Sequence, residues 1–282
     1  MAYATIQWKV KRLLVSDKSV DWFLAPYLMN QILALASFHL SMTGSTEQRD
    51  FRYHALQLRA HALQLFRSAN PKPDAKSCLP IFLFTSIRAF HVLSESLLLC
   101  PTSFDHFLAS IIEVFRLHEQ VRIVTNQSWK LLLKSPLKSL LEKESIALET
   151  GQPGQECSKL LSLVNSTLAD PSTKDVYQRA IRTLQQTIDG SRKQISEAPT
   201  VGPIISWLVL VPSDFIDLLS EHRPESLITL AHFGGLLHMH RDIWAFGHSG
   251  RYIIDSVASL LGPRWGHWLQ WPNSIIQAVH GN

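Results

Sequence analysis

Histidines are the first residues in this chain whose chemistry could define a site. There are 13 of them, and four lie close together in the last quarter of the sequence: His232, His238, His240 and His248. On an α-helix His238 and His240 would project about 200° apart, so they could not bind one metal ion together. The chain also has no Cys-x-x-Cys and no His-Glu-x-x-His pattern. We therefore predict no metal site and no cofactor.

Two other patterns that carry chemistry in enzymes are incomplete here. The segment Gly247-His248-Ser249-Gly250 resembles a nucleophile elbow, but that motif needs a residue between its serine and its second glycine, and a strand before it. Adjacent aspartates, which would hold a diphosphate through Mg²⁺, and glycine-rich phosphate loops do not occur in the sequence. No motif therefore assigns a reaction to this chain.

His232 lies in the apolar segment LITLAHFGGLL. A buried imidazole needs a hydrogen-bond partner, which leaves two interpretations. The favoured one is a satisfied core histidine, and the other is a residue that orients a bound ligand. Gly234 and Gly235 follow in the same helix and cost roughly 1 kcal/mol each relative to alanine. Such a cost indicates the close approach of a second helix, which we favour, or of a ligand.

Aromatic side chains are concentrated towards the end of the chain, where five of the eight tryptophans occur: Trp207, Trp244, Trp265, Trp268 and Trp271. Large rings mostly fill cores and interfaces, and this is the favoured interpretation. The alternative is that some of them line an apolar pocket for a small molecule. A ligand of about 30 heavy atoms at ~0.3 kcal/mol per atom would gain about 9 kcal/mol, somewhat better than micromolar affinity.

The sequence predicts that these residues lie on helices or in the connections between them. Ser213, after Pro212, is expected to cap the start of a short helix. Pro224 and Glu225 suit the first turn of the next helix, which is apolar nearly all round as far as Leu237 and is therefore predicted to be a core helix. Alanine-leucine-glutamine triplets seven residues apart predict a helix packed along one seam. Strand alternation is absent, and further helices are predicted at 3–15, 21–43, 49–69, 79–98, 103–124 and 175–195, with a turn at 44–49 and a variable loop at 145–175.

Length and composition narrow the class of protein. The 282 residues are 46% hydrophobic and 18% charged, which is typical of a globular chain with a sizeable core. The net charge is 27 minus 23, or +4, and it is spread without a basic block, so nucleic-acid binding by this segment is weakly supported. Three distant cysteines indicate a reducing compartment. No apolar run approaches the ~18 residues of a membrane span, and no secretory signal is expected.

Six short motifs occur in a fixed order along the chain. They are an alanine-leucine run ending at His39-Leu40, the Ala-Leu-Gln triplets at 55–57 and 62–64, the apolar segment 79–98, a tryptophan before Ser-Pro-Leu at 128–137, the LVLVP-to-LAHF stretch within 203–237, and the tryptophan-rich end at 240–276. This ordered set resembles the regulatory domain of fungal binuclear zinc-cluster transcription factors. Within this family it resembles the branch that contains the sterol uptake control proteins.

The resemblance implies an all-α fold: a single large helical domain over residues 1–282, without a boundary at the variable loop and with a central apolar pocket. In the sterol-responsive branch, a lipid in that pocket holds the regulator inactive. The implied partner is thus a hydrophobic, sterol-like small molecule, without direct nucleic-acid contact by this segment, in a protein of the nucleus or cytoplasm. We expect the 227–250 region to line the pocket, and the predicted ligand-binding residues are Phe84, Trp207, His232, Phe233, Leu236, Trp244 and His248.

One departure from this family leaves alternatives open. The DNA-binding cluster of six cysteines should lie upstream and is not contained in these residues, so the chain is either an excised domain or a stand-alone protein. A stand-alone protein could be an enzyme or a binding protein on the same scaffold. Such an enzyme could promote a cyclisation or isomerisation by shape, with His232 or His248 as proton donor. A third alternative is an interaction module that forms a homodimer through its tryptophan-rich end.

Overall fold

The computed structural model describes residues 25–43, 48–99, 103–149, 153–195 and 201–277. Over these ranges the chain forms twelve α-helices, one 3₁₀ turn (Pro263–Trp265) and no strand, which confirms the all-α prediction. The helix predicted at 3–15 and most of the turn predicted at 44–49 lie outside the described residues. In chain order the α-helices are α1 Pro26–Ser41, α2 Gln48–Ala69, α3 Cys78–Leu98, α4 Phe104–Leu132, α5 Lys138–Glu149, α6 Ser158–Thr167, α7 Pro171–Ile195, α8 Gly202–Leu210, α9 Ser213–Ser220, α10 Pro224–Met239, α11 Ser249–Leu261 and α12 Gln270–Gln277.

These helices belong to two compact units. Of the described residues, those between 25 and 92 and between 120 and 141 belong to the small unit. Those between 93 and 119 and between 142 and 277 belong to the large unit. Each unit has its own buried apolar side chains, and each is described separately below.

The small unit is built on the pairing of α1 with α2. Ala55 and Ala62, seven residues apart on α2, are fully buried, as the single-seam prediction requires. Their small side chains allow α2 to lie close to its neighbour. An aromatic group completes this core: the ring of Phe84 stacks on Phe66 at a centroid distance of 4.3 Å, and Tyr27 meets both rings edge-on.

Helix α3 combines a long apolar sequence with buried packing. Among the described residues it is the one helix whose length and mean hydropathy would allow it to cross a membrane by itself. Ile81, Phe84 and Ala89 on this helix are buried inside the protein. The pair α8 and α9 also passes this test if joined, but the two helices meet at a bend of 84°. Of its most apolar 18-residue window, 39% is buried inside the protein.

The large unit is organised around α10. Every residue from Glu225 to His238 on this helix is buried. Pro224 occupies the first helical position and Glu225 lies in the first turn, as predicted from the sequence. A proline costs nothing there because its missing N–H has no intrahelical partner in any case, and the carboxylate lies at the positive end of the helix dipole. The prediction of a core helix is therefore confirmed.

The predicted capping role of Ser213 was wrong. Helix α9 begins at Ser213 itself, Pro212 takes the capping position, and no side chain there bonds to the exposed amides. The preceding helix ends one residue earlier, because Val211, the residue before Pro212, is already extended with ψ at 138°. A side chain inside the first turn cannot cap that turn, because capping needs the residue just outside the helix.

The loop predicted at 145–175 was wrong for much of its length. Helix α6 lies inside it and buries Leu160, Leu163 and Val164 on one face. Helix α7 then begins at Pro171, where the carboxylate of Asp170 accepts the N–H of Thr173 at 2.8 Å. The glycine-rich residues before α6 dominated the composition of this stretch and concealed the short amphipathic pattern that follows them.

Candidate functional site

Trp207 on α8 is the centre of an aromatic cluster in the large unit. Its ring is fully buried and lies 4.6 Å from Phe233, at an interplanar angle of 33°. Phe115 and Phe215 meet the same ring edge-on at 5.4 Å and 6.1 Å. The indole Nε1–H donates a hydrogen bond to the carbonyl oxygen of Ala180 at 3.0 Å. Trp207 thus joins α4, α7, α9 and α10 around one ring with its polar group satisfied.

His232 occupies the face of α10 that meets α12. Its Nδ1 lies 2.9 Å from the carbonyl oxygen of Ile228, and because a carbonyl only accepts, Nδ1 carries the proton. The imidazole stacks on the ring of Trp271 at 5.5 Å and 24°. Burial lowers the pKa of His232 to about 4, although the bond to Ile228 acts in the opposite direction. His232 is therefore neutral near pH 7, which favours the core-histidine interpretation over a proton donor.

Three glycines set the spacing of the helices around α10. A Cβ atom on Gly250 would lie 2.4 Å from the carbonyl oxygen of Gly234 and 2.5 Å from the amide nitrogen of His238. A Cβ atom on Gly235 would lie 2.7 Å from the Trp271 ring. Gly234 and Gly235 therefore allow α11 and α12 to approach α10, which confirms the favoured explanation of the two glycines.

Two polar atoms close to this contact are buried without a hydrogen-bond partner in the described part of the chain. They are Nε2 of His240, just past the end of α10, and Oγ of Ser249, at the start of α11. Burial lowers the pKa of His240, and the charge of Asp242 acts against this shift. An unsatisfied buried polar group costs about 1–3 kcal/mol, so both atoms require an explanation.

His240 and Ser249 were not among the predicted ligand-binding residues. They flank the connection between two helices that meet at Gly250. A histidine just after a core helix and a serine at the start of the next one was the available sequence signal. Their burial arises only when α11 folds back onto α10, and periodicity does not predict that contact.

The seven predicted ligand-binding residues are placed in different surroundings. Trp207 and Phe233 are in direct ring contact, and Leu236 is buried on the same helix as His232. Trp244 is half-buried and His248 is exposed, both in the connection before α11. Phe84 belongs to the small unit, where its ring neighbours are Tyr27 and Phe66.

The small unit has an open cleft of its own. Its lining residues come from α1 and α2 and are Asn30, His54, Gln57, Leu58 and His61. Within the described ranges, no three histidine, cysteine, aspartate or glutamate side chains are grouped so that they could hold a metal ion.

The chain is similar in sequence to a fungal transcription factor. Over 271 residues the chain is 22% identical to a Zn(2)-C6 fungal-type transcription factor of Gibberella zeae. The alignment covers 88% of this chain and 53% of that protein, so the chain spans about half the length of its curated relative. No protein-family profile and no solved structure matches the chain. The similarity supports a distant relationship to a fungal transcription factor.

Proposed function

We propose that this chain is the regulatory region of a fungal transcription regulator, and that it binds a hydrophobic, sterol-like small molecule. The regulatory role is supported by the similarity to a fungal transcription factor along nearly the whole chain. These 282 residues contain three cysteines, too few for the six of a binuclear zinc cluster. The proposed role is therefore regulation in the nucleus or cytoplasm, without DNA contact by this segment.

The proposed ligand site lies around α10 in the large unit. Small-molecule sites combine mostly apolar and aromatic walls with a few polar groups that fix orientation. Trp207, Phe233 and Leu236 are buried apolar and aromatic side chains of this kind, and they lie on α8 and α10. The unpartnered Nε2 of His240 and Oγ of Ser249 are the polar groups that would receive a hydroxyl of the ligand. This composition supports an amphipathic lipid rather than a charged metabolite.

Regulation by such a ligand needs two helix arrangements with different affinities for it. The contact between His232 and Trp271 is where the packing of α12 on α10 could differ between the two arrangements. Trp271 lies on α12, and its ring covers both His232 and Gly235 on α10. A ligand that displaced this ring would separate α12 from α10. The free-energy difference between the two arrangements would then depend on the ligand.

A reporter fusion tests the proposed function. We would join residues 1–282 to an unrelated DNA-binding domain in yeast and measure transcription before and after sterol synthesis is inhibited. We expect output to change with sterol supply, and we expect Trp207→Phe to reduce this response. The matched control is Trp129→Phe, because Trp129 is 38% exposed and lies in the small unit. A fusion that never alters transcription would overturn the regulatory role, and one that alters it regardless of sterol supply would overturn the ligand.

A further inference from the structure

The sequence contains a single position at which a serine or threonine precedes a proline. Of the 14 prolines, only Pro136 follows such a residue, in the segment Ser135-Pro136-Leu137-Lys138. This segment belongs to the tryptophan and Ser-Pro-Leu motif of the sequence, and the proposed ligand site does not use it. A serine followed by proline, with a basic residue three positions after the serine, is the type of sequence that proline-directed protein kinases phosphorylate.

Ser135 lies in the turn between α4 and α5. This turn consists of residues 133–137, all of which belong to the small unit. Leu137 is the one residue of the turn that is buried, Lys134 is exposed, and Ser135 is half-buried. A residue before proline disfavours the helical conformation, so the backbone of Ser135 is biased towards the extended form that a kinase must bind. Turns with few buried contacts open locally more easily than helices do, which gives a kinase access to the hydroxyl.

The hydroxyl of Ser135 stabilises the turn through two hydrogen bonds. Its Oγ donates to the carbonyl oxygen of Leu132, at the end of α4, at 2.7 Å. The same Oγ accepts the N–H of Leu137 at 3.2 Å. Leu132 and Leu137 belong to one buried cluster with Cys78 and Leu79, which lie at the start of α3. The serine therefore connects the two leucines that anchor the turn.

We propose that Ser135 is the phosphorylation site of a proline-directed serine/threonine kinase, and that the phosphate loosens this turn. In the reaction, Oγ of Ser135 attacks the γ-phosphorus of ATP, the bond from this phosphorus to the β,γ-bridging oxygen breaks, and ADP leaves. The hydroxyl proton passes to the aspartate base of the kinase. The product is a phosphate ester with a charge of about −1.5 to −2 at pH 7. This inference does not depend on the proposed ligand.

A phosphate on Ser135 would break one hydrogen bond and introduce a repulsion. The ester oxygen carries no proton, so it cannot donate to the Leu132 carbonyl. The last carbonyls of α4 form the negative end of its dipole, where a second negative charge is disfavoured. The exposed Lys134 and the first amides of α5 attract the phosphate instead. Both effects move residue 135 away from α4 and weaken the packing of Leu132 and Leu137 in the cluster that contains Cys78.

Phosphorylation of the purified chain tests the site. Residues 1–282 would be incubated with Mg-ATP and a cyclin-dependent kinase, and peptide mass spectrometry would locate the phosphate. We expect one phosphate at Ser135, its loss in Ser135→Ala and in Pro136→Ala, and wild-type incorporation in Ser139→Ala. Ser139 is the matched control because it is exposed in the first turn of α5 and is not followed by proline. Thermal unfolding followed by circular dichroism would show that each variant is folded.

A synthetic peptide of residues 130–141 is the second substrate, because it presents Ser135 without the fold. Phosphorylation of this peptide but not of the folded chain would overturn the proposal, since the serine would then be inaccessible. Phosphorylation of neither substrate, or of the chain only at other residues, would overturn it as well.

Alkylation of Cys78 tests the effect of the phosphate on the turn. Cys78 is 2% exposed, so iodoacetamide should label it slowly in the unmodified protein. We expect the phosphorylated protein to be labelled severalfold faster at Cys78. The rate at Cys157, which is buried in the large unit, should not change. Protein incubated with the kinase but without ATP is the reference, and equal labelling of Cys78 in both samples would overturn the loosening of the turn.

Discussion

Gly250 on α11 packs so closely against Gly234 on α10 that a Cβ atom at Gly250 would lie 2.4 Å from the Gly234 carbonyl oxygen. The obstructing atoms belong to the backbone, including the amide nitrogen of His238 at 2.5 Å, so a change of rotamer cannot relieve the contact. The close spacing of α10 and α11 therefore depends on the lack of a side chain at Gly250. The start of α11, and the buried Ser249 next to it, are fixed by this contact.

We expect Gly250→Ala to lower the free energy of unfolding by roughly 2 kcal/mol or more. Alanine would gain about 1 kcal/mol from helix propensity, but forcing α11 away from α10 costs more than this gain. Urea unfolding of the variant and of wild type measures the difference. Ser259→Ala is the control, because Ser259 is exposed on the same helix and should change stability by less than about 0.5 kcal/mol. A stabilised Gly250→Ala variant would show that the two helices are not in this contact.

Gly235 and Trp271 should be energetically coupled. A Cβ atom on Gly235 would lie 2.7 Å from the tryptophan ring, so Gly235→Ala should destabilise the wild-type protein. The same substitution should cost about 1 kcal/mol less in a Trp271→Ala background, where the ring is gone. A double-mutant cycle by urea unfolding measures this coupling. Additive effects of the two changes would contradict the packing of α12 on α10.

The pH dependence of stability should contain a contribution from His232. Burial lowers its pKa in the folded protein from 6.5 to about 4, so the unfolded chain binds a proton that the native protein does not bind between these values. The contribution of His232 to stability is present above about pH 6.5 and is lost as the pH falls towards 4. Between pH 7 and pH 5 this loss amounts to roughly 2 kcal/mol.

The variant His232→Asn removes this titration and keeps a donor for the Ile228 carbonyl. Its free energy of unfolding should therefore fall less than that of wild type between pH 7 and pH 5. His106→Gln, at an exposed position of the same unit, should follow the wild-type curve. Identical pH dependence in wild type and His232→Asn would mean that His232 is accessible to solvent.

Replacing Ser249 distinguishes a role of this side chain in ligand binding from a role in stabilising the fold. Its Oγ has no partner in the described part of the chain, so Ser249→Ala should leave the free protein equally stable, or stabilise it by up to about 1 kcal/mol. The same variant should retain less lipid, because the proposed ligand hydroxyl loses its partner. Thermal unfolding and lipid content measure the two effects. A strongly destabilised variant would instead assign Ser249 a structural hydrogen bond.

The sequence predicted those parts of the fold that depend on local pattern. Pro224, Glu225 and the apolar run after them predicted α10, and Gly234-Gly235 predicted a close helix contact. The partner in that contact, Gly250, was not predicted because it depends on how α11 returns to α10. Ser213 failed as a cap for a local reason, since Pro212 already occupied that position.

The candidate site was harder to predict than the helices. Residues of one helix, such as His232 and Leu236, could be grouped from the sequence because they share an element. Phe84 was grouped with them by the resemblance, yet its ring contacts lie in the small unit. His240 was not included among the predicted ligand-binding residues after the sequence analysis had excluded a metal site. Its burial without a hydrogen-bond partner depends on how the helices pack, which the sequence pattern does not show. Helical periodicity determines faces but not which faces meet.

Native mass spectrometry of residues 1–282, purified from a eukaryotic host without detergent, tests the central claim most directly. The claim is that a hydrophobic small molecule occupies the large unit. We expect a bound mass of a few hundred daltons that is released on denaturation and is reduced in Trp207→Phe and Ser249→Ala but retained in Trp129→Phe. A chain that carries no such mass, and acquires none on incubation with sterols, would contradict it.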